Sequence, residues 1–193
     1  MREFVYYSKN AVTAGNMIKG DLMKAGRMDI VCNVVIQAFF VSNAMRKDVK
    51  LHLIFDGPPY GTRHLILDSG RIEEETVSKK DIAGLIKRML YKCDEEKKVR
   101  VFPGCFIEKK SFEAVVKELD SGGKNVFLLD EKGKDIRDLK FEGNEVFILG
   151  DQEGFPRDKQ KLLKRIDKIS VSPRVLFASQ VVTLVNNEID RKL

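Results

Sequence analysis

Short apolar runs bounded by turn residues alternate with longer amphipathic stretches along the whole chain, and this alternation constrains its fold more than any other feature. Glu3 to Tyr7 reads as a first strand. Asp29 opens a run with helical spacing, Ile30, Val31, Val34, Val35, Ala38 and Phe39, extending to Ser42. Lys50 to Phe55 reads as a buried strand broken by Asp56-Gly57-Pro58-Pro59, and His64 to Leu67 as a short one. A helix over Ser78 to Tyr91 would bury Ile82, Leu85, Ile86 and Met89. After the charged linker Asp94 to Lys98 comes a strand, Val99 to Phe102, then a helix capped by Ser111 that runs to Leu119 and stops at Gly122-Gly123. The last third is the most regular: strands Val126 to Leu129, Glu145 to Leu149 and Lys168 to Val171, a helix Arg157 to Ile166, and a final helix from about Ala178. Strands alternating with helices imply an α/β fold, a mainly parallel sheet with helices on both faces. The 193 residues, 43% hydrophobic, suit one domain over 1–193 with a sizeable core.

Charge and cysteine usage narrow the function classes. Lys and Arg number 35 against 29 Asp and Glu, a net charge of +6 that favours an anionic partner. The longest hydrophobic-rich stretch, Ile30 to Val41, carries Asn33 and Gln37 and is too short to cross a bilayer, so no membrane partner is expected. The start MREFVYYSKN has no apolar signal core. Cys32, Cys93 and Cys105 are odd in number and widely separated, which suits a reducing cytoplasm. With His52 and His64 as the only histidines and no Cys-x-x-Cys, no metal site is expected, and both histidines read as structural. Gly122-Gly123 follows a helix instead of a strand, which argues against a phosphate loop.

Three strand ends in the last third carry unusual loops: Leu129-Asp130-Glu131-Lys132-Gly133, Leu149 to Pro156, and Ser170 to Arg174. In a parallel sheet they share one edge, the edge where such sheets bind ligands. Gly150 and Gly154 would let backbone approach a ligand, and Pro156 fits the first turn of the following helix. The loop has neither the Gly-x-Gly-x-x-Gly of a dinucleotide fold nor the Gly-Lys-Ser/Thr of a P-loop. An ordinary tight connection remains the alternative reading of that loop taken alone.

Phe147-Ile148-Leu149-Gly150-Asp151-Gln152-Glu153-Gly154-Phe155-Pro156, followed by Ile169-Ser170-Val171-Ser172-Pro173 and a helix over Ala178 to Asp190, resembles the cofactor-binding knot of the SPOUT methyltransferases. Ala25-Gly26-Arg27-Met28-Asp29, Arg46-Lys47-Asp48, Asp56-Gly57-Pro58-Pro59 and Gly133-Lys134-Asp135-Ile136-Arg137 resemble the TrmY family, archaeal enzymes that methylate N1 of pseudouridine 54 in tRNA. The resemblance covers most of the chain. It implies a C-terminal trefoil knot over about 126–193, a homodimer, S-adenosylmethionine as cofactor and tRNA as partner. It also implies that the backbone of Leu129, Leu149, Gly150, Gly154, Val171 and Leu176 holds the adenine and ribose, with Leu128 and Phe177 as apolar walls and Glu153 and Gln180 as further candidates. Asp135 matches a family aspartate and is the candidate to orient or accept the departing proton.

For RNA the candidates are Arg27, Arg46, Lys47 and Arg174, since guanidinium groups grip phosphates bidentately. Tyr60, if its Pro-rich loop is exposed, could stack on an extruded base. The chain departs from the family at Ser172 and Val181-Val182, where relatives commonly carry Gly and Cys-Ile, so no thiol acts at that helix. Methylation of a pseudouridine in ribosomal RNA and a noncatalytic RNA-binding role that keeps the knot are the competing readings.

Overall fold

The computed structural model describes residues 1–42, 44–73 and 78–192. In chain order its elements are β1 (Arg2–Ser8), α1 (Met28–Phe39), β2 (Phe40–Val41), β3 (Ala44–Met45), β4 (Val49–Phe55), β5 (Arg63–Asp68), α2 (Lys79–Tyr91), β6 (Val99–Phe102), β7 (Cys105–Glu108), α3 (Phe112–Ser121), β8 (Asn125–Asp135), β9 (Glu145–Gly150), α4 (Arg157–Leu163), β10 (Asp167–Ser170) and α5 (Ala178–Asp190). Eight strands form one sheet in the order β10-β8-β9-β1-β4-β5-β7-β6. The five from β10 to β4 are mutually parallel, and β5, β7 and β6 extend the sheet antiparallel.

β1 lies in the middle, and its period of two sorts the core. Phe4 and Tyr6 face α1, α2 and α5, while Val5 and Tyr7 face α3 and α4. All seven of its residues are buried, because a central parallel strand is covered on both faces. Ser78 and Ser111 each accept a hydrogen bond from the backbone of the third residue on, which starts α2 and α3 where the sequence places them.

Four differences from the sequence reading have physical causes. α1 stops at Phe39, because Phe40–Val41 turns into a small antiparallel hairpin with Ala44–Met45. β7 has no counterpart in the sequence reading; it is half-buried, with Cys105 and Ile107 inward, and its partners β5 and β6 are what make it a strand. β8 continues past Leu129 to Asp135 through a wide bulge, and α4 ends three residues early, at Leu163. The sheet is mainly parallel, as expected, with the antiparallel strands β5, β7 and β6 gathered on one side.

Arg2 clasps the C-terminal helix. Its guanidinium is almost wholly buried and reaches Asp48 on one side and the Asn186 carbonyl groups and Asp190 of α5 on the other, with Asp190 Oδ1 at 2.8 Å. Arg46 closes the same carboxylate from outside, and Asn186 Nδ2 donates to the Gln37 carbonyl at the end of α1. Removing a buried charge leaves its partners desolvated and unpaired, at a cost of about 3 kcal/mol. Arg2→Met should therefore lower the urea midpoint of unfolding well beyond Lys19→Met, a change on the exposed surface; equal midpoints would refute the clasp.

On the other sheet face, Glu3, His52, His64 and Glu108 form a row across β1, β4, β5 and β7. His52 and His64 touch ring nitrogens at 2.9 Å, and His64 Nδ1 lies 2.9 Å from Glu108. Burial pushes the His64 imidazole down to about 4 in spite of Glu108, so it is neutral at pH 7. Burial works against the Glu3 carboxylate, but His52 and Lys124, the latter 3.0 Å away, outweigh it and hold the group at about 2. A carboxylate depressed from 4.5 stabilises the fold above pH 4.5 and loses that contribution as the pH falls toward 2, on the order of 3 kcal/mol in all. Glu3→Gln should flatten this acid limb in urea titrations between pH 5 and pH 2, and an unchanged slope would count against the assignment.

Candidate active site

The carboxyl ends of β1, β4, β8 and β9 share one edge of the sheet, and three loops close a cavity of about 500 Å³ beside it. The first wall is the loop after β9, fastened by Asp151. This buried carboxylate accepts from Ser8 Oγ at 2.8 Å, from the Lys9 amide at 3.2 Å and from the Glu153 amide at 2.9 Å. The far end of the loop is pinned by Phe155, stacked on Tyr7 with ring centroids 5.5 Å apart and packed on Phe112. Glu153 accepts from Asn10 Nδ2 at 2.7 Å, tying the loop to the segment after β1.

The second wall is the bulge in β8. Phe127 and Leu128 pair with Asp167 and Lys168, but the next partner of β10, Ile169, faces Lys134, so Leu129 to Gly133 loop out toward the cavity. Gly133 is where the chain returns: a Cβ there would sit 2.5 Å from the Ile169 backbone, so only glycine lets β8 rejoin β10. Lys168 donates to Asp130 at 2.6 Å and holds its carboxyl below the usual range. The third wall is Val171 to Phe177, shaped by Ser170 Oγ donating to the Ser172 carbonyl at 2.8 Å, and it leads into α5, whose Gln180 accepts from the Phe177 amide at 3.0 Å.

Most of the expected cofactor residues meet here. Leu129, Leu149, Gly150, Glu153, Gly154, Val171, Leu176 and Phe177 line the cavity, as do Gln180 and Arg174. Leu128 does not. Side chains alternate along a strand, so with Leu129 facing the cavity Leu128 points into the opposite core, among Val5, Phe112 and Ile148. The sequence reading omitted Ile30, Gln152 and Val181, which also line the cavity. The packing of α5 turns Val181 toward the cavity.

Asp135 sits where β8 ends, outside the cavity lining. Its carboxylate accepts from Arg137 Nε at 3.0 Å and from the Arg137 amide at 2.9 Å, which hold it at about 2. The four RNA candidates are not brought together within one chain. Arg174 lies on the cavity rim, and Arg27 adjoins the same edge, since Gly26 packs on the Asn10 carbonyl so closely that an added Cβ would lie 1.7 Å away. Arg27 itself has φ 63, a conformation that costs a residue with a side chain roughly 1–3 kcal/mol, and its guanidinium is spent on Asp29 at 3.0 Å. Arg46 and Lys47 precede β4 and lie at the opposite edge, Arg46 bound to Asp190 and Lys47 to the Ile72 carbonyl. Among the described residues no group of three or more His, Cys, Asp or Glu could hold a metal ion, and no helix is long and apolar enough to cross a membrane.

A family model described as "Putative SAM-dependent RNA methyltransferase" matches residues 1–193. The tRNA (pseudouridine(54)-N(1))-methyltransferase of Methanococcoides burtonii is 36% identical over all of this chain and 98% of its own length. The chain belongs to this family of RNA methyltransferases. Its counterpart of the same description in Methanocaldococcus jannaschii is 30% identical over all of this chain and 98% of its own length. Among solved structures, Nep1 of Archaeoglobus fulgidus bound to S-adenosylhomocysteine superposes with a TM-score of 0.63, covering 98% of this chain and 97% of that one at 16% identity. That likeness concerns the fold.

Asp151 carries the loop geometry of this family member's cavity. Asp151→Ala should weaken S-adenosylhomocysteine binding at least about tenfold in calorimetry, since three hydrogen bonds to a buried carboxylate are lost together. Unchanged affinity would show that the loop holds its shape without it.

Proposed function

We propose that this protein transfers a methyl group from S-adenosylmethionine to N1 of pseudouridine 54 in tRNA, acting in the cytoplasm as a homodimer with a knotted C-terminal region. The observation that carries the reading is the cavity itself: three loops from separate parts of the chain meet at the carboxyl edge of the parallel strands, in a chain matched from end to end by an RNA methyltransferase family. The residues present fit the cofactor. The cavity lies within the range of nucleoside-sized sites, and its walls mix backbone with Leu, Val and Phe, as a purine and ribose need. Asp130, Glu131, Asp151 and Glu153 line it, and carboxylates suit a sulfonium and an ammonium.

S-adenosylmethionine, when bound, supplies an electrophilic methyl group. The chain's own contribution is placement. Backbone groups of Leu129, Leu149, Gly150, Gly154, Val171 and Leu176 hold the nucleoside half, Phe177 closes one side, and the bulge of β8 sets the depth of the pocket. Holding donor and acceptor in line converts an encounter in solution into a local event. Arg174, exposed on the rim, is available to a phosphate, and Arg27 comes free only by exchanging Asp29 for one. Arg46 and Lys47 serve RNA in this reading only from the other edge, where Arg46 first has to leave Asp190.

The proton on N1 needs an acceptor. Asp151 is committed to Ser8, Asp130 to Lys168 and Glu153 to Asn10, whereas Glu131 has no hydrogen bond or ion pair among the described residues. Asp135, held ionised by Arg137, suits an orienting role better than that of a base. Leu128 backs the pocket from the opposite core instead of walling it.

Two features support the dimer and the knot. Val175 and Phe177 are 82% and 65% exposed on the rim, apolar surface that a second copy would bury. α4 packs on one face of the sheet and α5 on the other, with the edge strand β10 between them in sequence, so the chain must change faces after β10 beside the looped-out segment of β8. Methyl transfer from labelled S-adenosylmethionine to tRNA transcripts that differ only in uridine or pseudouridine at position 54 tests the function. Product on the pseudouridine transcript alone is expected, with kcat falling about tenfold or more in Glu131→Gln and less in Asp135→Ala. Transfer to neither transcript, with S-adenosylhomocysteine still bound, would favour ribosomal RNA or a noncatalytic role.

A further inference from the structure

Tyr60 is 59% exposed, yet the backbone beneath it is held by hydrogen bonds to Thr13. Its amide donates to Thr13 Oγ1 at 2.9 Å, and the Thr13 hydroxyl lies 3.2 Å from the Gly57 carbonyl and 3.3 Å from that of Tyr60, while the Thr13 amide donates to the Pro58 carbonyl at 2.8 Å. Thr13 is 1% exposed. Below the ring lies the Arg63 guanidinium, 5.4 Å from its centroid, itself buried and joined to Glu95. A rigid loop thus presents one face of an aromatic ring to water with a cation on the other. This arrangement loses little conformational entropy when a flat partner arrives.

The position of the ring says which flat partner. The loop follows β4 at its carboxyl end, on the edge that holds the cofactor cavity, and β1 alone separates β4 from β9. Neighbouring strands lie about 4.8 Å apart, so the two loops are on the order of 10 Å apart along the edge, a span of one or two nucleotides. One segment fastens both: Asn10 bonds Glu153 of the cavity loop, and Thr13, three residues on, holds Tyr60. Lys9 and Lys109 are exposed beside this path, with Glu95 offsetting part of the charge of Lys109 at 2.9 Å.

We propose that Tyr60, backed by Arg63, is a stacking platform for an unpaired base next to the nucleotide being methylated. The proposal rests on the reading of the protein as an RNA methyltransferase. A base placed in the cavity for chemistry leaves its stack, and its neighbour then exposes a π-face with no partner. Tyr60 supplies one, and base–aromatic stacking accepts any base.

The chain contains no tryptophan, which permits a direct test. Tyr60→Trp introduces a single indole at the platform, and titration with tRNA carrying pseudouridine 54, in the presence of S-adenosylhomocysteine, should quench its fluorescence saturably. Tyr60→Ala should raise KM for that tRNA about tenfold or more with kcat and cofactor affinity little changed, and Tyr60→Phe should restore it. RNA binding by the Tyr60→Trp variant without quenching would overturn the platform and leave the methyltransferase reading intact. If the wild-type protein binds no RNA, both fall. If Tyr60→Ala instead shifts sedimentation toward a monomer, the ring docks a second copy and the platform is excluded.

Discussion

The pairing of β1 on both sides is the constraint on which the rest of the structure depends. Arg2 to Ser8 pair in parallel with β4, and Glu3 to Tyr7 with β9, so one seven-residue strand sets the register of two others, Tyr6 facing Leu53 and Leu149 across the sheet. Both of its ends then act beyond the sheet. Arg2 binds Asp190 and Asn186 and so fixes where α5 ends. Ser8 binds Asp151 and so fixes the loop that forms the first wall of the cavity. A slip of one residue in β1 would turn Phe4 and Tyr6 into the other core and part both contacts, which ties the site to the same packing that stabilises the fold.

The site is accordingly a product of connections instead of a cluster of reactive side chains. Burial raises the Tyr6 and Tyr7 phenols and takes the Cys32 thiol up to about 12, so these groups stay protonated and serve as packing. Carboxylates in and around the cavity are mostly committed to cations or amides, which shapes loops and leaves little spare acid–base capacity. Such an arrangement suits a reaction whose barrier falls chiefly through alignment of two bound partners. Val181 of α5 adds a small apolar side chain to the cavity wall.

How much could be read from the residues follows from which interactions are local. The strands and helices of the last third are set by apolar runs of strand length, serine caps and glycine stops, all within a few residues of one another. β7 was missed because Cys105 to Glu108 becomes a strand only through its partners, with half of its residues turned to the less buried face. Leu128 enters the pocket only through the family resemblance, whereas the alternation of the strand that holds both Leu128 and Leu129 sends it into the opposite core. Arg46 is an RNA candidate on the phosphate-gripping chemistry of its guanidinium alone, and its partner in the fold, Asp190, is 144 residues away.

The sequence by itself determined the α/β class, the helices and most of the strands, and the three loops that line the site, because period, caps and glycine placement act over one or two turns of chain. The tertiary structure decided which strands pair antiparallel, which side of β8 faces the cavity, which cations are spent on internal carboxylates, and that Tyr60 stands rigid and exposed on the same edge as the pocket. These depend on contacts between residues far apart in the chain, whose energies are set by burial and partner geometry and leave no mark on the local pattern.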